Sequence, residues 1–329
     1  MAVIVPAFGV AHLLGQSLDS LLAQTMTDWE CVIVDDGAPD DVASAVSPYL
    51  ADPRITFLQT DNRGVSTARN RAIATTTAPL IALLDGDDIL RPQYLTRTCA
   101  VMEADPAARL VTVNARIFGA VPKTRLCFNG RQGNGDGGRG TLGDVLDRSF
   151  GVYIGATFRR IDFEAIGGFD PAMTHAEDFD LWVRLMLLGG HALYIDEVLA
   201  DYRVRAQSAS ASDVKMLMGN IQTFRKALDQ LDANAPEAAV ARTMIAHNSQ
   251  ELRFTLAADS IIEGNTAALA ELKANAGKDL GAVWRLYFAL WSVMPSLAAP
   301  MLALRRRRNA RGAGVTEAEP AVQPRRLST

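Results

Sequence analysis

Residues 79–88 read Pro79-Leu80-Ile81-Ala82-Leu83-Leu84-Asp85-Gly86-Asp87-Asp88, and this stretch decides the fold. An unbroken apolar run, Leu80 to Leu84, follows Pro79 and specifies a strand buried on both faces. Three carboxylates come next, with a glycine between the first two. Like charges packed that tightly need a cation or hydrogen-bond donors to neutralise them. At a strand end, positions i and i+2 point to the same side, so Asp85 and Asp87 can share one hard metal ion. In open parallel sheets, ligands sit at the carboxyl ends of the strands. A solvated acidic turn is the competing reading of the same residues.

Working outward, strand and helix signals alternate. Val3-Ile4-Val5 is a short buried strand stopped by Pro6, and Leu14, Leu18, Leu21 and Leu22 recur at helical spacing up to Gln24. Cys31 to Val34 is a second strand ending in Asp35-Asp36-Gly37, and Ile55 to Gln59 a third, with a weak helix over Asp41 to Tyr49 between them. Asn62-Arg63-Gly64 makes a turn, and Ser66 is placed to cap a helix running to Thr75. Beyond the Leu80 strand, Pro92 suits the first turn of a helix to Glu103, and Leu110 to Val113 is a fifth strand. This rhythm means βαβ units and a mostly parallel sheet.

Between Asn129 and Gly140, six of twelve residues are glycine. The run contains a formal GxGxxG match at Gly133, Gly135 and Gly138, but no strand leads into it, so a surface loop or lid is expected rather than a dinucleotide site. Tyr153 to Phe158 reads as a strand, and Ile161 to Ile166 as a short helix closed by Gly167-Gly168. Glu177-Asp178 opens a helix whose apolar face is Leu181, Leu185 and Leu188, ended by Gly189-Gly190. His191 to Val204 is extended, and beyond Asp213 the chain is helical and alanine-rich.

The composition is globular: 329 residues, 49% hydrophobic and 21% charged, with a formal net charge of −4 that gives no reason to expect nucleic acid as a partner. Cys31, Cys99 and Cys127 are widely spaced and form no CxxC pair, so they read as reduced thiols of a cytoplasmic protein. Since a strand begins at Ala2, no signal peptide is expected. Leu286 to Leu304 carries no charge but is interrupted by Pro295 and Pro300, and Arg305 to Arg308 follow. That pattern suits a broken amphipathic segment in peripheral contact with the inner face of a membrane, or equally a packed helical pair with a solvated basic end.

Five motifs together carry a resemblance. Val3-Ile4-Val5-Pro6-Ala7-Phe8, Val32-Ile33-Val34-Asp35-Asp36-Gly37, Asn62-Arg63-Gly64 with Ala68-Arg69-Asn70, Leu84-Asp85-Gly86-Asp87-Asp88, and Gly167 to Asp170 with His175 to Arg184 stand in the order and spacing of the family-2 glycosyltransferases. The chain resembles that family over residues 2–212. The resemblance implies an α/β fold of GT-A type, a mostly parallel central sheet flanked by helices, with a helical C-terminal extension. It also implies a nucleoside-diphosphate sugar donor, a UDP-sugar in first place, a divalent Mn2+ or Mg2+, and inversion at the sugar carbon. Carried over by position, Pro6 and Phe8 line the base pocket, with Phe8 stacking where tyrosine is common, and Asp36 accepts a hydrogen bond from the base. Asp85 and Asp87 are the metal acids, Asp85 also facing the donor, and Asp178 is the general base. Arg205 departs from the histidine many relatives carry, which bears on any phosphate or metal contact there. No QxxRW-like box is apparent, which points to one sugar per encounter.

The chemistry read from the residues agrees. A diphosphate leaving group needs positive charge, and the attacking hydroxyl needs a carboxylate set apart from the metal pair. Glu177-Asp178 is the candidate. Arg69 offers positive charge to the donor, or else lies with Asn70 on a solvated helix face. His175, Glu177 and Trp182 are expected on the side of the acceptor, a glycan or lipid-linked hydroxyl, although Trp182 beside Leu181 and Leu185 also fits a core position. The expected organisation is a nucleotide-sugar half over 1–120, an acceptor half over 121–212, a helical extension over 213–308 with a membrane-surface segment at 284–308, and a disordered tail at 309–329. Two other classes use similar features: a nucleotidyl- or phosphoryl-transfer enzyme built on the same acids, and a catalytically silent sugar-binding protein.

Overall fold

The structure is a computed structural model in which residues 1–130, 132–133, 138–205, 213–276 and 281–312 are described. The chain divides into two compact units, Met1–Arg205 and Ala206–Gly314. The first opens with β1 (Ala2–Ala7), α1 (Ala11–Leu22), β2 (Glu30–Asp35), α2 (Val42–Val46), β3 (Ile55–Gln59), α3 (Val65–Ala74) and β4 (Leu80–Leu83). It continues through β5 (Ile89–Leu90), α4 (Tyr94–Ala104), β6 (Ala108–Gly119), β7 (Arg125–Leu126), β8 (Arg139–Gly140), α5 (Leu142–Leu146), β9 (Thr157–Arg159), α6 (Arg160–Ala165), α7 (Glu177–Leu187) and β10 (His191–Val204).

The sheet order is β3-β2-β1-β4-β9-β6-β10-β5, with β7 on β6 and β8 on β10. The four strands on the β3 side are parallel, as is the long β6–β10 pairing, whereas β9 runs antiparallel between β4 and β6. β1, apart from the half-buried Pro6, and β4 are apolar and buried, as strands covered on both faces must be. Register brings their ends together: Ala7 lies opposite Asp35, and Ile4 opposite Leu83. Phe8, Asp36 and Asp85 therefore emerge along one edge.

Proline does not end β1, which runs on to Ala7. The amide of Leu84 donates to the Ile4 carbonyl, so the edge of β1 that faces β4 is used at Ile4 and comes round again at Pro6. The β1–β4 pairing ends at Ile4 opposite Leu83, so the ladder does not call on an N–H at Pro6. Ser66 does not cap α3. The residue before the helix is Gly64 at φ +87°, and the Ser66 hydroxyl, one residue inside, reaches the Met173 carbonyl at 3.5 Å. Nor is Tyr153 in a strand: β9 begins only at Thr157, and the Tyr153 ring is turned inward from the preceding loop. Residues 134–137 of the glycine run, on which the expectation of a lid falls, lie outside the described residues.

The second unit contains α8 (Asp213–Leu228), α9 (Pro236–Ile262), α10 (Leu269–Ala274), α11 (Ala282–Val293) and α12 (Ala298–Gly312). Its core joins Ala257 and Ile261 of α9 to Leu272, Trp291, Ala298 and Leu302. Pro295 starts a short 3-10 turn that splits the uncharged run into α11 and α12. α12 continues to Gly312, beyond Asn309, and residues 313–329 lie outside the described residues.

Gly86 is where the acidic loop presses on β1 and α1. A Cβ there would stand 3.0 Å from Cγ2 of Val10, 3.1 Å from the Pro6 carbonyl and 3.3 Å from Cδ1 of Leu14. Gly86→Ala is expected to destabilise the first unit by about 1–3 kcal/mol through overpacking, read as a lower urea midpoint. A midpoint equal to wild type would show that the loop has room to move.

Candidate active site

Each carboxylate of the acidic loop is answered by groups from distant elements. Asp85 Oδ1 accepts from Arg69 Nη2 of α3 at 2.8 Å, and Arg69 Nη1 donates to Glu177 Oε1 of α7 at 2.9 Å. Arg69 is 3% exposed and lies over the Phe169 ring. Burial works against its charge, but the pull of Asp85 and Glu177 outweighs that and raises its pKa above the ordinary value. The reading of Arg69-Asn70 as a solvated face is thereby excluded. Asn70 donates to the Phe169 carbonyl at 2.8 Å and accepts from the Phe169 amide at 2.9 Å.

Asp87 Oδ2 accepts from Arg205 Nε, while Arg203 Nε donates to the Asp87 backbone carbonyl at 2.8 Å. Burial raises the Asp87 pKa, the Asp85 charge adds to that, and Arg205 opposes it. Asp88 is fully buried. It accepts the Arg203 amide on Oδ1 and the Tyr153 hydroxyl on Oδ2, both at 2.8 Å, and burial pushes its pKa well above the usual carboxylate range. Its place is inside the loop, bracing it against β10.

Phe8 is 48% exposed just beyond the end of β1, with Pro6 two residues before it. The loop carrying Phe8 is held from below by Asp40, whose carboxylate accepts the Gly9 amide at 2.9 Å and the Ala11 amide at 2.6 Å. Asp40 thus caps α1 from 29 residues away. Asp36 is buried, and its oxygens accept from Arg63 N at 3.1 Å, Thr60 Oγ1 at 3.3 Å and Gly64 N at 2.8 Å. A carboxylate has about four lone-pair directions, so Asp36 shapes the 62–64 turn and keeps one direction for a further donor.

α7 begins abruptly. Ala176 sits in the left-handed region at φ +56°, and Glu177 and Asp178 form the first turn. Asp178 Oδ1 accepts the Phe179 amide at 2.7 Å. That bond, together with Arg69 and Arg148, favours the ionised form, yet burial and then the Glu177 charge prevail and lift the Asp178 pKa to about 6. Arg148 also has positive φ (+67°), and its guanidinium lies 3.5 Å from the Phe179 ring centroid. His175 stands at the entrance to α7 with Nδ1 3.2 Å from Thr174 Oγ1. Trp182 does not face an acceptor: it is 2% exposed, packed on Phe158 at 5.8 Å, and its apolar setting is the core between α7 and the sheet.

Sequence reasoning missed the parts played by Tyr153, Arg203, Asp40 and Arg148. Only Arg203 left a trace, since Tyr202-Arg203-Val204-Arg205 places two arginines on one side of a strand end. As for a metal, no three His, Cys, Asp or Glu side chains converge among the described residues. Asp85 and Asp87 nonetheless offer hard oxygen donors at 27% and 13% exposure. That set fits Mg2+ or Mn2+, which are commonly held by one or two carboxylates plus substrate phosphates.

Comparison with known proteins gives this sheet, with one acidic pair at the carboxyl end of β4 and a second opening α7, its class: a glycosyltransferase of the GT-A fold. Residues 2–167 match the family described as Glycosyl transferase family 2, and the chain belongs to it. It is 25% identical over 225 residues to the Escherichia coli UDP-Glc:alpha-D-GlcNAc-diphosphoundecaprenol beta-1,3-glucosyltransferase WfgD, covering 66% of this chain and 82% of that one. It is also 25% identical over 191 residues to the Escherichia coli chondroitin synthase, but spans only 27% of that enzyme and 57% of itself. Among solved structures, S. aureus TarS 1-349 in complex with UDP-GlcNAc superposes with a TM-score of 0.61 at 15% identity, over 94% of this chain and 91% of that one. The mannosyltransferase PcManGT from Pyrobaculum calidifontis, in complex with GDP-Man and Mn2+, gives 0.56 at 20% identity, over 93% and 87%. At such identities the two structures speak for the fold.

Arg69 is the residue whose loss this geometry makes most costly. Arg69→Met would leave Asp85 and Glu177 uncompensated and is expected to destabilise the protein by about 3–5 kcal/mol, measured by urea denaturation. A loss under about 1 kcal/mol would mean that both acids find other partners or water.

Proposed function

We propose that the chain transfers one sugar, with inversion, from a nucleoside-diphosphate donor to a hydroxyl of a glycan or lipid-linked acceptor. In this reading 1–120 is the donor half and 121–212 the acceptor half. The observation that carries it is the Arg69 bridge, which ties Asp85, at the donor end of β4, to Glu177, the neighbour of Asp178 on α7. Phe8 stacks on the base beside Pro6, and Asp36 accepts from a base N–H with its remaining lone pair. A UDP-sugar is the donor of first choice, since WfgD is named for UDP-Glc and the TarS complex holds UDP-GlcNAc. Mn2+ or Mg2+ held by Asp85 and Asp87 would neutralise the charge that develops on the leaving diphosphate.

Asp178 takes the proton of the attacking hydroxyl. Its pKa of about 6 keeps it ionised at neutral pH while leaving it a better base than an exposed aspartate. Glu177 is unsuited, because its carboxylate is committed to Arg69. His175, at the mouth of α7, contributes to acceptor binding. A single base opposite the leaving group makes one displacement, and one displacement inverts the sugar carbon.

Asp178→Asn is expected to retain donor affinity, read by UDP-sugar thermal shift with Mn2+, and to lower kcat by at least ~10². Because Asp178 must be ionised to act, wild-type kcat/KM should climb as pH rises and level off above about 6. A rate near wild type for Asp178→Asn, with Glu177→Gln inactive, would exchange the two roles.

Among the described residues no helix is long and apolar enough to cross a membrane. We place the enzyme at the membrane surface nonetheless, through α11, where Leu286 is 67% and Val293 80% exposed, with Arg305 to Arg308 following in sequence. Each basic residue near an anionic surface contributes about 1 kcal/mol. The full chain should float with acidic liposomes, and Leu286→Glu with Val293→Glu should release it. A wild-type protein that never floats would make α11 and α12 an ordinary packed pair.

A further inference from the structure

The two metal acids are not held alike. Arg69, which binds Asp85, is buried, bonded at the same time to Glu177, and set in the middle of α3. Arg205, which binds Asp87, is 30% exposed and follows the last residue of β10. Its Nη1 also reaches the Gly9 carbonyl at 3.3 Å, in the loop that carries Phe8. The acidic loop also has ties that do not involve Arg205. Arg203, two residues earlier, fixes the Asp87 carbonyl through Nε and Asp88 through its amide, and is itself anchored to Gln16 at 2.6 Å.

A guanidinium bonded to Asp87 Oδ2 takes up the same carboxylate that a divalent cation would use, and two positive charges cannot share it closely. We infer that Arg205 is an internal cation that holds Asp87 while the donor site is empty and is exchanged for the metal when the nucleotide arrives, the freed guanidinium then serving the donor diphosphate. The inference rests on the assignment of the metal to Asp85 and Asp87. Its second half follows from the chemistry of arginine, whose planar fork matches phosphate oxygens, and from its reach to the Gly9 loop. The site is thus neutralised in both states, and the metal binds weakly alone and well with nucleotide.

Calorimetry with Mn2+ alone, and with UDP at saturating Mn2+, tests this on the full chain without any turnover. Arg205→Ala should bind Mn2+ alone roughly tenfold more tightly than wild type, a gain of about 1.4 kcal/mol, and should bind UDP severalfold more weakly once the metal is saturating. Arg205→Gln, which keeps a donor for Asp87 but no charge, should move both affinities the same way, and serves if the alanine variant is poorly folded. Mn2+ affinity unchanged or weakened in the folded variants overturns the exchange and leaves the metal assignment standing. If neither wild type nor variants bind Mn2+, with or without UDP, the metal assignment itself falls and the exchange with it.

Discussion

The constraint on which this structure turns is the presence of three carboxylates, Asp85, Asp87 and Asp88, within four residues at the end of a buried strand. In a medium of low dielectric, such a cluster is untenable without positive charge or donated hydrogen bonds. The fold meets this with Arg69 from α3, Arg203 and Arg205 from the end of β10, and the Tyr153 hydroxyl from the loop before β9. Residues 16 to 118 positions away are thereby tied to a single turn. Besides β9, which pairs with both β4 and β6, the acidic loop ties the parallel β3-β2-β1-β4 strands to the β6–β10 part of the first unit.

That arrangement explains why α3, only ten residues long, is so heavily used. Arg69 joins Asp85 to Glu177, and the next residue, Asn70, clamps both backbone groups of Phe169. Arg184 completes the lock by donating to the Gly168 carbonyl at 2.7 Å, and Gly168, at φ +77°, has no room for a Cβ, which would stand 2.9 Å from Asn70 Oδ1. The start of α7 is therefore set by contacts with α3 and not by its own capping, since Ala176 offers no side chain for that purpose. One consequence is a division of labour between neighbours: Glu177 is used to hold the position, and Asp178 is left enclosed and basic.

Much of this was legible beforehand. The apolar run at β4, the alternation of strands and helices, the helix opening at Glu177 and the strand from His191 to Val204 are local patterns, and each appears where its pattern lies. The departures have explanations of a different kind. Pro6 stays within β1 because its edge has lost its neighbour, and Ser66 gives up capping because Gly64 makes the turn. Tyr153 leaves the strand to answer a buried acid. Each depends on what another segment does at that point.

Periodicity and the order of motifs determined the fold class, the family and the acidic residues around which a site is built, because buried strands and amphipathic helices write their burial into consecutive residues. Tertiary structure decided which group each acid is bound to. Only there does Trp182 turn out to be core, Asp36 to be shared with a turn, Asp40 to cap a helix remote in sequence, and Arg205 to lie on Asp87. An ion pair depends on where two side chains meet, and for residues a hundred positions apart that is settled by the packing of whole elements, of which the local sequence carries no record.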